Sequence, residues 1–262
     1  MEAPARFLPV GHMTLAISEN EPLSRHTIFR IGGPARLFVE AKTKDECIAA
    51  LVMAREKGLP WLMLGSGSNM LVSDKGFAGM VIHWIGGTIR IDGAKVDVES
   101  PVSMARVVAE SVKAGLRGFE WAIGVPGTIG GSVRGNAGCF GREMKDVVES
   151  VRVWDADAGQ EEEWQASEAG FGYRTSRFKS NSDIVILSAR LNLKAGVRVE
   201  AERVVREYTL HRTESQDIGS ASAGCIFKNI PWNRRDIDER IMRERLPDMP
   251  GTGTVAGIPA GY

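Results

Sequence analysis

The chain has 262 residues, 43% of them apolar, with 33 basic and 33 acidic side chains and no formal net charge. That length holds one large domain or two to three small ones with real cores, and a balanced charge without long runs of one sign argues against nucleic acid as a main partner. No apolar run reaches the roughly 18 residues of a membrane span, and Met1-Glu-Ala-Pro-Ala-Arg6 has no signal-peptide pattern, so a cytoplasmic protein without membrane contact is expected.

In chain order, residues 1–20 show no sustained period and are expected to form a loose lead-in. Organisation begins at His26-Thr-Ile-Phe-Arg-Ile-Gly-Gly-Pro34, followed by the strand-like Arg36–Glu40. Thr43 stands three residues before Glu46 in a capping-box arrangement, and Cys47, Ile48, Leu51 and Val52 recur on one helical face that Gly58 ends. Trp61–Leu64 reads as a buried strand, Gly65–Asn69 as a glycine loop and Met70–Val72 as a further strand. Residues 79–99 read as short strands broken by Gly86-Gly87 and by a hairpin turn at Asp92-Gly93. Ser103 caps a helix whose inner face carries Met104, Val107, Val108 and Val112 and which Gly115 closes. Val147–Trp154 and Asp183–Leu193 read as strands flanking Phe171–Ser176, the acidic residues 161–163 as a solvated edge, and Val199–Leu210 as a last helix. Segregated strands and helices without an internal repeat give an α+β class.

The densest signal is Gly124-Val-Pro-Gly-Thr-Ile-Gly-Gly-Ser-Val-Arg-Gly-Asn-Ala-Gly138, with six glycines and a proline in fifteen residues. Each Gly inside a helix or strand costs about 0.5–1 kcal/mol relative to Ala, so the run points to backbone that must turn tightly or approach a ligand. Successive N–H groups in such turns form concave nests for anions, a phosphate or pyrophosphate above all. The loop 65–69 offers a second such surface. It fails the dinucleotide fingerprint, because the last glycine is replaced by Met70 and a strand is expected to follow. Neither loop carries the Gly-Lys-Ser/Thr of a P-loop. Cys47, Cys139 and Cys225 are odd in number and widely spaced, which argues against a disulfide framework and a Cys-rich zinc site, and His12, His26, His83 and His211 show no pairing; no metal is expected.

Taken together, Thr27–Gly33, Gly65–Asn69, Gly124–Gly131 with Asn136-Ala-Gly138, Tyr173-Arg174 and Ser222-Ala-Gly-Cys-Ile-Phe-Lys-Asn229 resemble the UDP-N-acetylenolpyruvoylglucosamine reductase family, in family order over residues 21–262. The resemblance implies a two-subdomain FAD-binding fold of the vanillyl-alcohol-oxidase type, with residues 21–84 as the first subdomain and 85–196 as the second. Residues 197–262 would open a third, substrate-binding α+β domain. It implies NADPH-dependent reduction of a UDP-sugar enolpyruvyl ether for peptidoglycan precursors, by a monomer. FAD is expected to bind non-covalently, since no His lies in the glycine loops, with Gly65, Ser66, Gly67, Ser68, Asn69, Gly124, Val125, Pro126, Gly127, Thr128, Gly130, Gly131 and Asn136 as its contacts.

Hydride addition to an enol ether conjugated with a carboxylate leaves negative charge on the carboxylate side, where the planar fork of Arg174 suits an anion. Tyr173, Lys228 and Asn229 match family positions on the substrate. The proton donor of the family, a Ser or Cys after Ala-Gly, is Cys225 here; a thiol with an ordinary pKa of about 8.5 is mostly protonated at neutral pH. Cys139 falls at a variable position and reads as structural. Two departures stand out: Gln216-Asp217 replaces the family's Gln-Pro, and Gly257–Tyr262 resembles the start of a segment beyond which the family carries a glutamate that assists protonation. A chain without that glutamate is expected to keep flavin reduction longer than turnover, the alternative reading being a non-catalytic flavin- or nucleotide-binding protein. A flavin oxidase of the same superfold fits less well, because Arg174 with Cys225 suits a reductase.

Overall fold

The computed structural model describes residues 6–10, 13–215, 219–229 and 238–245. The chain divides into two compact units, Met1–Ser222 and Ala223–Tyr262. In the first, β1 (Arg6–Val10) and β2 (Met13–Pro22) precede β3 (Pro34–Ala41), α1 (Lys44–Glu56), β4 (Trp61–Leu64) and β5 (Phe77–Trp84). They form a five-stranded sheet in the order β1-β2-β3-β5-β4, whose last three strands run parallel. α1 starts where the sequence places it: Thr43 Oγ1 accepts from Glu46 N at 3.1 Å, and Glu46 answers by accepting from Lys42 N at 2.6 Å, one residue earlier than in a strict capping box. Cys47, Ala50, Leu51 and Ala54 turn inward from α1 onto the sheet, and Gly58 closes the helix at φ +60°.

The second half brings β6 (Ile89–Asp92), β7 (Lys95–Glu99), α2 (Met104–Lys113), β8 (Leu116–Arg117), α3 (Ile129–Gly135) and the hairpin β9 (Gly138–Cys139) with β10 (Arg142–Glu143). Then follow β11 (Val148–Asp155), β12 (Gln160–Gln165), α4 (Arg177–Ser180), β13 (Ile184–Asn192), β14 (Lys194–Ala195) and α5 (Arg198–Ser215). A wholly antiparallel sheet runs β12-β11-β13-β7-β6, with the acidic β12 at its edge and its apolar face covered by α2 and α3. Val185 and Leu187 of β13 join the apolar cluster beneath α1, and Lys44 reaches Glu161 at 2.5 Å, so the two sheets share a seam. In the second unit the described residues hold α6 (Glu239–Arg245).

Several expectations are corrected. Residues 13–20 are not a loose lead-in but β2, which pairs with β3 and buries Leu15 and Ile17; two apolar residues in alternation are too short a signal to stand out. Met70–Val72 forms no strand. Gly33 N donates to Ser73 O at 2.9 Å and Val72 packs beside Gly32, so this run closes a loop crossing instead of a ladder. Part of the glycine run is helical after all. α3 packs so closely on the end of β7 that a Cβ on Gly130 would lie 1.8 Å from Ser100 Oγ, and that contact, not flexibility, places glycine at this position of the helix. The last helix extends past Leu210 to Ser215, since nothing in His211–Ser215 stops it, and it packs with the first unit against α2 and the turn before Gly124.

Candidate functional site

The two glycine loops meet. Gly65–Asn69 leaves the carboxyl end of β4, which is where open sheets with parallel strands hold ligands, and Gly124–Thr128 leads into α3. Ser68 Oγ donates to Pro126 O at 3.3 Å, and a Cβ on Gly65 would lie 2.8 Å from Thr128 Oγ1. Gly67 adopts φ +64°, and a Cβ there would collide with His26 O at 2.1 Å, so only glycine lets this loop lie against His26–Ile28. Ile28 N fixes it by donating to Gly67 O at 3.1 Å. On the facing loop Met104 N donates to Gly127 O at 3.1 Å. The N–H groups of Ser66, Gly67 and Gly127 have no partner among the described residues, and adjoining open backbone donors are what a pyrophosphate needs. The residues present therefore fit FAD. Ser66, Asn69, Gly124, Pro126 and Gly131 are exposed, while Gly65, Ser68 and Val125 are half-buried.

Three expected contacts change character. Thr128 is buried, and its hydroxyl caps α3 by accepting from Gly131 N at 3.4 Å. Gly130 is buried and its N–H goes to Ser100 O at 3.0 Å. Asn136 is 0% exposed, in the left-handed conformation that ends α3. Its amide nitrogen donates to Glu143 Oε2 at 3.0 Å and Gly172 O at 2.9 Å, and its oxygen accepts from Lys145 N at 3.0 Å. Three bonds thus hold that side chain within the protein.

Arg174 lies against the β9–β10 hairpin, its own backbone left-handed at φ +55°. One terminal nitrogen donates to Gly138 O at 2.8 Å and the other to Asn136 O at 3.5 Å, which leaves Nε–H and the outer N–H groups for an anion. Tyr173, 45% exposed, has the guanidinium 5.4 Å from its ring centroid. Arg212, two residues beyond the helix end that the sequence suggests, donates to Cys139 Sγ at 3.4 Å and lies where a Cβ on Gly124 would come within 2.6 Å of its Nε. Phe140 stacks on Tyr208 with centroids 4.1 Å apart, which fixes α5 to the hairpin. Cys139 thus lies beside the Arg212 guanidinium, half-buried.

In the second unit Gly224 adopts φ +83°, Cys225 is an exposed free thiol, and Lys228 and Asn229 are exposed on the same loop. The departures at Gln216-Asp217 and Gly257–Tyr262 lie outside the described residues.

Beneath the loop 65–69, His26 stacks on Phe38 at 4.2 Å, meets His83 edge-on at 5.8 Å and bonds Glu21 at 2.9 Å. Burial, and then the charge of His26, hold the His83 imidazole below its ordinary pKa, against a smaller opposing pull from Glu40. Below about pH 6.5 the unfolded chain therefore takes up this proton before the folded one does, and stability falls as pH drops. The thermal midpoint of the protein is expected to fall more steeply between about pH 7 and 5.5 than that of His83→Phe. Parallel slopes would assign the acid sensitivity to other groups.

A family profile described as FAD binding domain matches residues 35–162. The chain is 37% identical to a UDP-N-acetylenolpyruvoylglucosamine reductase from Carboxydothermus hydrogenoformans over 220 residues, 81% of this chain and 70% of that relative. It is 36% identical to one from Clostridioides difficile, again over 81% of this chain and 70% of the relative. The crystal structure of UDP-N-acetylenolpyruvylglucosamine reductase (MurB) from Thermus caldophilus superposes with a TM-score of 0.72 at 32% identity, covering 88% of this chain and 80% of that one. Among the described residues no helix is long and apolar enough to cross a membrane.

Proposed function

Because the chain belongs to the UDP-N-acetylenolpyruvoylglucosamine reductase family, we propose that it reduces the enolpyruvyl ether of its UDP-sugar substrate to a lactyl ether with NADPH. It is a flavin-dependent oxidoreductase, and its cofactor is FAD. The reading makes it a cytoplasmic enzyme of peptidoglycan precursor synthesis that acts as a monomer on UDP-N-acetylglucosamine enolpyruvate and forms UDP-N-acetylmuramate.

The observation that carries this reading is the meeting of the loops 65–69 and 124–128, one following β4 and one leading into α3, with open backbone N–H groups and no room for side chains at Gly65 or Gly67. Bound FAD supplies the two-electron relay between NADPH and the substrate double bond. The loops hold its pyrophosphate through N–H groups rather than a lysine. Arg174 holds the substrate carboxylate and stabilises the negative charge that grows beside it as hydride arrives at the far carbon. Cys225 gives its thiol proton to the carbon next to the carboxylate, completing addition of one hydride and one proton across the double bond. Tyr173, Lys228 and Asn229 bind the UDP-sugar.

Non-covalent attachment follows from loops without a tethering His. The purified protein is expected to show the spectrum of oxidised flavin, and acid precipitation should release FAD into the supernatant. A colourless protein that FAD does not reconstitute would overturn the proposal.

A further inference from the structure

The mechanism needs Arg174 in one place, yet its own turn is poorly built to keep it there. Gly172 and Thr175 exchange backbone hydrogen bonds of 3.0 and 3.2 Å, and between them Arg174 takes a left-handed conformation at φ +55° that a non-glycine residue adopts reluctantly. Such a conformation persists only where the surroundings over-determine it.

The Ser176 hydroxyl donates to Arg134 O at 2.7 Å and Lys179 Nζ to Arg174 O at 3.2 Å, and the buried Asn136 side chain ties the turn to the hairpin. Asn136 Nδ2 donates to Gly172 O at the base of the turn and to Glu143 Oε2 on β10, while its Oδ1 takes the N–H of Lys145. Its own carbonyl receives one Arg174 terminal nitrogen, and Gly138 O, two residues on, receives the other. The end of α3, the β9–β10 hairpin and the Tyr173–Arg174 turn are therefore tied at a single amide. Glu143 is held in turn by Lys145 Nζ at 2.9 Å and by its own N–H to Asp146 Oδ2 at 2.9 Å. Gly138 completes the clamp, since a Cβ there would lie 3.2 Å from Arg174 Nη1 and 2.4 Å from Arg142 O.

We infer that Asn136 is a positioning residue for the half-reaction in which the substrate reoxidises the flavin, its amide tying the Arg174 turn to the hairpin so that the guanidinium faces the substrate carboxylate. The inference rests on the reading that Arg174 binds that carboxylate. Two bonds to carbonyls aim the guanidinium, and the amide fixes the segments that carry both the carbonyls and the arginine. Glu143 shares the task.

Asn136→Gly is the sharpest variant, because glycine accepts the left-handed backbone and removes only the amide. It is expected to leave flavin bleaching by NADPH within about twofold of the parent and to slow reoxidation by UDP-N-acetylglucosamine enolpyruvate about 10- to 100-fold, the scale of a small misplacement of a binding group. Hydrogen exchange of the peptide covering residues 171–176 should speed up in the same variant with FAD bound and no substrate. Combining it with Arg174→Ala should be no slower than Arg174→Ala alone, because both remove one interaction. Glu143→Ala should reproduce the effect, and Glu143→Gln, which keeps an acceptor, should restore most of it.

If Arg174→Ala slows reoxidation and Asn136→Gly and Glu143→Ala do not, the positioning role is wrong. Equal slowing of both half-reactions, or additive losses in the double variant, would make Asn136 general scaffold and also overturn it. An Arg174→Ala enzyme that reoxidises at the parent rate would instead sink the functional reading beneath it.

Discussion

Replacing Cys225 by alanine is expected to slow reoxidation of the reduced enzyme by UDP-N-acetylglucosamine enolpyruvate by about 10²–10⁴, the usual effect of losing a positioned acid. Flavin reduction by NADPH should be nearly unchanged, because that step needs no proton delivered to the substrate carbon. Cys225→Ser should keep much of the rate, since a hydroxyl also carries a proton. The three thiols differ in their surroundings. Burial pushes Cys47 up to about 12, and it sits inside the core beneath the first sheet. Cys139 packs against Arg212, whereas Cys225 is exposed on a loop. Rapid-mixing kinetics of the two half-reactions checks the assignment, and equal slowing of both would make Cys225 a packing residue.

Arg174→Ala should cost about 10²–10³ in the same half-reaction, the scale found when one preorganised donor to a developing anion is removed. Arg174→Lys should recover little, because an ammonium cannot bond Gly138 O and Asn136 O while presenting a fork to the carboxylate. Steady-state and single-turnover rates for the two variants test this. A lysine variant close to the parent would mean that Arg174 contributes charge alone.

The α1 cap at Thr43, the α2 cap at Ser103 and the turn after Asp92 were legible because each depends on a few adjacent residues. The glycine loops were legible for the same reason, yet their purpose differs from one residue to the next. Gly67 is required by His26 O and Gly130 by Ser100, and both partners lie far away in sequence. Asn136 shows the limit most clearly. A short polar residue after a glycine run reads as a ligand contact, and only the fold reveals that its amide bonds Glu143, Lys145 and Gly172. β2 was missed because its buried pair, Leu15 and Ile17, gains meaning only once β3 and α1 cover it. Arg212 was missed because a helix end without a stop signal has no fixed place in a sequence.

The central claim is that two glycine loops hold FAD and that Arg174 acts after the flavin has been reduced. Sequential anaerobic mixing tests it most directly: NADPH first, then UDP-N-acetylglucosamine enolpyruvate, with flavin absorbance followed throughout. The account predicts that NADPH bleaches parent and Arg174→Lys alike, and that the enolpyruvate restores the oxidised spectrum of the parent far faster than that of the variant. Failure of NADPH to bleach the parent, or recovery no faster with the enolpyruvate than without it, would contradict the account.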